Sequence, residues 1–224
     1  MTAAALPQHH PEADILLAYA GGTLAEGLAL VVATHLALCP DCRRLAGDFD
    51  ALGGTLFDRL GPSALAPDAF ARTMARIGDR PPEEPPARAP AQPDADAWWQ
   101  WEPLAPYLHG RQPRVWRPLG RGIGYSPIRR RGQSGASAIL LRVAADAALP
   151  RHGHAGTEMT VVLEGGYRDQ FGRYAVGDFS SLDNATMHKP VTDGDAICVS
   201  LIALTGPLLF GAAAARWLQM LVGI

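Results

Sequence analysis

The stretch His35-Leu36-Ala37-Leu38-Cys39-Pro40-Asp41-Cys42 sets three soft or borderline metal ligands where one helix end and the turn after it can bring them together. Positions i and i+4 of a helix share a face, so His35 and Cys39 point the same way, and Cys42 follows three residues later at the start of the next helix. A closed structural zinc site is tetrahedral with Cys and His donors, and the nearest unused candidates for its fourth ligand are His9 and His10. Cys-x-x-Cys alone also reads as a thioredoxin-like redox pair, but that motif follows a strand in a βαβ pattern, whereas Leu24 to Leu38 is helical. The histidine favours structural zinc over a redox dithiol or an inert pair.

Outward from this site the chain reads as short helices. Pro11 to Ala20 carries Ile15, Leu16 and Tyr19 at helical spacing and ends at Gly21-Gly22. Thr23 followed by Glu26 predicts a capping box for a second helix through Leu28, Val31, Val32, His35 and Leu36. Pro40 opens a third, with Leu45, Phe49, Leu52, Leu56 and Leu60 as its apolar stripe and a bend expected at Gly53-Gly54. Pro67 to Ile77 predicts a fourth, with Phe70, Met74 and Ile77 on one face. That face suits a helix that clamps onto another protein, and equally one that completes the domain's own core. Four helices in about eighty residues make a small core of the kind that a metal or a partner commonly holds together.

From Asp79 to Asp96 the composition shifts to six prolines, acidic residues and two arginines with no large apolar residue, which predicts a semi-extended linker between units that need not pack rigidly. Trp98, Trp99 and Trp101 then announce a new core, and Trp116 follows. Beyond residue 110 come short β-like segments punctuated by glycine: 122–128, 136–143, 159–163, 167–171, 179–182, 189–192 and 196–204. They predict an antiparallel sandwich or barrel. A terminal helix is expected over Ala212 to Val222. The fold class is therefore multidomain α + β. A zinc-stapled helical domain (1–78) and a Pro-rich linker (79–97) precede a β-barrel domain with a C-terminal helix (98–224).

The 224 residues, 48% of them apolar, carry a net charge of only −2, which recommends neither a nucleic acid nor an anionic membrane as partner. With three cysteines, two of them in the zinc motif and Cys198 expected to pack as a small hydrophobe, the pattern is cytosolic. The start lacks a secretory pattern, and no apolar stretch reaches the roughly 20 residues that span a bilayer.

A second constellation, His152-Gly-His154-Ala-Gly-Thr-Glu158 with His188 further on, lies in the β region. Alternate residues of a strand share a face, so His152 and His154 both look into a barrel, with Glu158 on the next strand and His188 on a later one. Three imidazoles and a carboxylate bind Zn, Mn, Fe(II), Ni or Cu.

His152-x-His154-x3-Glu158-x6-Gly165, with Gly177 opening a second half that includes His188, resembles the two metal-binding motifs of the cupin superfamily. The second motif departs from the family in lacking Pro-x-Gly before its histidine. Together with His9-His10, Thr23-Leu24-Ala25-Glu26, Val31-Val32-Ala33-Thr34-His35-Leu36 and the Cys pair, the whole chain resembles the ChrR-type zinc anti-sigma factors. That resemblance maps the fourth zinc ligand onto His10, with His9 as the other candidate. It implies a cytoplasmic anti-sigma factor that binds a group IV (extracytoplasmic-function) sigma factor, one-to-one, and releases it under oxidative, typically singlet-oxygen, stress. It further implies that the helical domain suffices for sigma binding and that the cupin domain serves the response. Zinc is expected in the N-terminal site, and a divalent metal, again zinc, in the cupin site. Two other readings compete: a dioxygenase-like cupin metalloenzyme with a helical appendage, and a ligand-binding cupin without chemistry. A separate zinc-stapled unit on a tether suits an output module joined to an input module better than either.

Overall fold

The computed structural model describes residues 6–78, 95–113, 115–128 and 136–210. Residues 79–94 of the predicted linker (79–97) and the predicted C-terminal helix lie outside the described residues, and 95–97 belong to a 3-10 helix. Four helices open the chain: α1 (Ala13–Ala20), α2 (Glu26–Leu38), α3 (Pro40–Phe57) and α4 (Ala69–Gly78). Pro40 occupies the first turn of α3, and helical geometry continues through Gly53-Gly54.

The predicted capping box at the start of α2 does not form. Thr23 belongs to the turn after α1 and donates its hydroxyl to the Ala18 carbonyl. The Glu26 carboxylate instead accepts from the Tyr107 hydroxyl at 3.0 Å, so its capping role is exchanged for a tie to a later segment.

After a 3-10 helix (Ala95–Gln100) and a short α5 (Ala105–Leu108) the chain is all β. Strands β1 (Arg117–Gly120), β2 (Ile123–Ile128), β3 (Ser137–Val143), β10 (Cys198–Leu204), β5 (Glu158–Glu164) and β8 (Phe179–Leu182) form, in that order, a six-stranded antiparallel sheet. Two smaller antiparallel sheets complete the unit. One pairs β11 (Leu208–Phe210) with β4 (His152–His154), and the other orders β7 (Arg173–Ala175), β6 (Gly166–Arg168) and β9 (Val191–Thr192). Sequence periodicity missed β1, β7, β11 and α5, all four residues or shorter and too brief to show a period.

Both faces of the large sheet are covered, and the period of two sorts its residues cleanly. Leu140 of β3, Val161 and Leu163 of β5 and Val199, Leu201 and Ala203 of β10 face a core shared with α2. Their neighbours Ile139, Leu141, Glu158, Thr160, Ser200 and Ile202 face the other way, into a cavity. α2 fills the first face because it is apolar nearly all round: Leu28, Leu30, Val31, Val32 and Leu36 are all buried. Each contributes about 1.5–3 kcal/mol through removal from water. Gly27 lets the helix approach closely, since a Cβ there would meet the Ala136 carbonyl oxygen at 3.2 Å. Trp98 and Trp101 join this same core, and Trp98 Nε1 donates to Glu164 at 3.2 Å.

The helical and β units thus share one core around α2, where the proline-rich segment had suggested units that need not pack rigidly. A helix apolar on every side has to be covered on every side, and α1 and α3 cover only part of it.

Candidate metal centres

Four elements converge on the first cluster. The segment before α1 delivers His10, the last turn of α2 delivers His35, Cys39 caps α3, and Cys42 lies in the first turn of α3. One ligand atom from each lies within 4.8 Å of the others, and all but His10 are buried. His10 Nδ1 stands 3.4 Å from both sulfurs. His9 turns away, its Nε2 hydrogen-bonded to the Arg173 carbonyl at 3.1 Å and its ring 4.5 Å from that of Tyr174. Of the two N-terminal histidines, the structure brings only His10 to the cluster.

The donor chemistry fits a cation. His35 Nδ1 donates to the Gly177 carbonyl at 2.7 Å, which leaves Nε2 as the lone-pair nitrogen, and this buried atom has no hydrogen-bond partner. Burial above all holds the His35 pKa down to about 4, so the ring is neutral and able to ligate near neutral pH. Burial, and after it the neighbouring Cys39, pushes the Cys42 thiol up to about 12. Reactive thiols have a depressed pKa, so Cys42 is poorly built for redox exchange, and a bound cation would supply what deprotonates it. Cys198, raised to about 11 by burial, is likewise an inert thiol packed among Val162, Tyr167 and Tyr174.

The second cluster joins His152 and His154 from β4, Glu158 from the start of β5, and His188, all buried, with ligand atoms again within 4.8 Å. His188 lies outside the named strands, held to His152 by an isolated antiparallel bridge, where a later strand was expected. His152 Nδ1 donates to the Pro150 carbonyl at 2.8 Å, and His188 Nδ1 meets Asp169 Oδ2 at 3.1 Å. With both Nδ1 atoms engaged, the two Nε2 atoms face each other at 3.0 Å, an arrangement of lone pairs that suits a shared cation. His154 Nε2 is 3.1 Å from Glu158 Oε2 without hydrogen-bonding geometry. Burial opposes charge on both of these groups, yet their proximity outweighs it, so the His154 pKa rises and that of Glu158 falls. Asp169 is the residue that sequence reasoning missed. It is a carboxylate that orients a ligand through space, and no spacing along the chain announces it.

A cavity of about 350 Å³ reaches this cluster through His152, Glu158 and His188. Its other walls are mainly aliphatic, among them Ile123, Ile139, Leu141, Val143 and Leu204. The site can therefore bring a small apolar molecule beside a bound metal in water-poor surroundings.

Residues 111–207 match the family model described as the ChrR cupin-like domain. Over 213 residues the chain is 39% identical to the anti-sigma-E factor ChrR of Cereibacter sphaeroides, covering 95% of this chain and 96% of that protein. The crystal structure of Rhodobacter sphaeroides SigE in complex with the anti-sigma ChrR is similar with a TM-score of 0.73 at 39% identity, over 88% of this chain and 98% of that one. Among the described residues no helix is long and apolar enough to cross a membrane.

Proposed function

The chain belongs to the ChrR family of anti-sigma factors, and from that premise we propose that it binds an extracytoplasmic-function (group IV) sigma factor one-to-one in the cytoplasm and releases it under oxidative, typically singlet-oxygen, stress. It is a regulatory protein and not an enzyme. The observation that carries the binding reading is the state of α4. Phe70, Met74 and Ile77 are 78%, 51% and 60% exposed, and no described side chain of that helix is buried. The end of α3 also exposes Leu52, Leu56 and Phe57. An apolar helical stripe that covers no core among the described residues is a surface for another protein. Mixing the purified chain with an extracytoplasmic-function sigma factor encoded beside it is expected to give a stable one-to-one complex by size exclusion with light scattering. Two separate peaks would refute the assignment.

In this reading His10, His35, Cys39 and Cys42 hold a structural zinc ion, the closed four-ligand type. His152, His154, Glu158 and His188 hold a second divalent ion, zinc again, which serves as the sensing input. When bound there, the ion offers a Lewis-acidic point to small molecules entering the cavity. The residues themselves fix its place: Asp169 and the Pro150 carbonyl orient two of the rings, and the aliphatic walls exclude water.

The sigma-binding part is the helical unit, residues 1–78, with 79–97 as the linker. A truncated chain ending near Arg80 is expected to inhibit sigma-dependent transcription in vitro at saturating zinc. Inhibition by the full-length chain alone would overturn that division.

Alanine at Glu158 or His188 is expected to leave sigma binding within about twofold, because surfaces far from a substitution rarely couple to it by more than ~0.5 kcal/mol. The same variants should blunt release when cells are exposed to singlet oxygen. Normal release in both variants would remove the sensing role from this cluster.

A further inference from the structure

The N-terminal metal cluster does not end at its four ligands. Two of them are held from behind by one turn of the β unit, residues 175–179, between β7 and β8. The Gly177 carbonyl fixes the His35 ring through Nδ1 at 2.7 Å. The Asp178 carboxylate accepts from the Gln8 and His9 backbone amides at 2.6 and 3.0 Å, and from the Ala175 amide on its other oxygen at 2.8 Å. Phe179 N–H donates to the His9 carbonyl at 3.0 Å, and its ring meets that of His35 edge-on. His10, the ligand that comes from no helix, is thus placed by the residue before it, and that residue is pinned to the β unit. Asp178 is itself buried, and the described hydrogen bonds of its carboxylate all come from backbone amides.

Gly177 is built for the same contact. Its φ of +88° is one that other residues rarely adopt, and an added Cβ would stand 2.8 Å from Pro7 Cγ and 3.3 Å from Leu38 Cδ1. The turn therefore touches the chain on either side of the cluster, at the N-terminal segment and at the end of α2. It also runs directly into β8, which pairs with β5 from Val161↔Phe179 to Glu158↔Leu182. Glu158, a member of the other cluster, sits at the far end of that pairing.

We propose that Asp178 and Gly177 are positioning residues of the N-terminal metal site, so that its metal affinity depends on docking of the β unit's 175–179 turn. The inference rests on the metal reading of His10, His35, Cys39 and Cys42 given above. Groups that orient a metal ligand from behind commonly govern 10–100-fold in affinity, although they never touch the ion. A change in the β unit that shifts this turn loosens His10 and His35 together and leaves the two thiolates with half a coordination shell.

Cobalt(II) tests this in the full-length chain, because of the two clusters among the described residues the N-terminal one alone contains cysteine and gives a thiolate-to-cobalt charge-transfer band. Competition with a chelator, read at that band, is expected to show about 10–100-fold weaker cobalt binding for Asp178→Ala. Asp178→Asn, which keeps one oxygen for the Gln8 and His9 amides, should recover part of the loss. Leu140→Ala serves as the control for mere destabilisation, since it opens the same sheet's core from β3, a strand that pairs with β2 and β10 and not with β8. An affinity unchanged in Asp178→Ala, or lowered equally in Leu140→Ala, overturns the proposal. A missing band in the unsubstituted chain would instead refute the metal site itself, so the two failures are distinguishable.

Discussion

Replacing Cys39 and Cys42 together by serine is expected to remove about one metal ion per chain and to abolish sigma binding. The reason lies in how little else holds α3. Along its eighteen residues only Cys42 and Ala46 are buried, and the rest of the helix lies on or near the surface. α1 contributes a single buried residue, Leu16. A structural zinc ion contributes on the order of 10–16 kcal/mol to small zinc-dependent folds, several times what two small buried side chains supply. Losing the ion releases the start of α3 from the end of α2 and from His10, and the exposed apolar surface carried by α3 and α4 loses its fixed placement. Metal content by mass spectrometry of the native chain, together with sigma affinity by calorimetry, checks this. Full sigma affinity in a chain that has lost the metal would sink the structural role.

Aspartate at Phe70, Met74 and Ile77 together is expected to eliminate sigma binding while leaving the free chain folded. Anchors in a protein interface cost about 2 kcal/mol or more when truncated, so Phe70→Ala alone should weaken binding about 30-fold. The triple variant adds charges that cannot be paired in an apolar groove. Because all three residues are exposed, the melting temperature of the free chain should hardly move, as surface substitutions stay within about 0.5 kcal/mol. Binding at undiminished affinity would place the sigma contact elsewhere on the helical unit. A large fall in stability would instead mean that α4 covers part of the chain's own core.

Several of these features could be read before any coordinates. The members of both candidate metal clusters were legible because ligand chemistry is carried by side-chain type and because local geometry brings short spacings together. His35, Cys39 and Cys42 meet across one helix end, and His152 and His154 share one face of a strand. The four helices and the longer strands followed from their periods, and even the burial of α2 was implicit in a run with almost no polar face.

Other features only the tertiary structure decided. Which of His9 and His10 lies beside the cysteines was set in space, where Asp178, far along the chain, holds the Gln8 and His9 amides just before His10. Whether Phe70, Met74 and Ile77 complete a core or remain open depends on what packs against them, and periodicity reveals an apolar face but never its partner. The supports behind the ligands, the Gly177 and Pro150 carbonyls and the Asp169 carboxylate, were hidden for a related reason. Two of them are backbone oxygens that every residue possesses, and the third acts across space, so nothing in the order of side chains marks them.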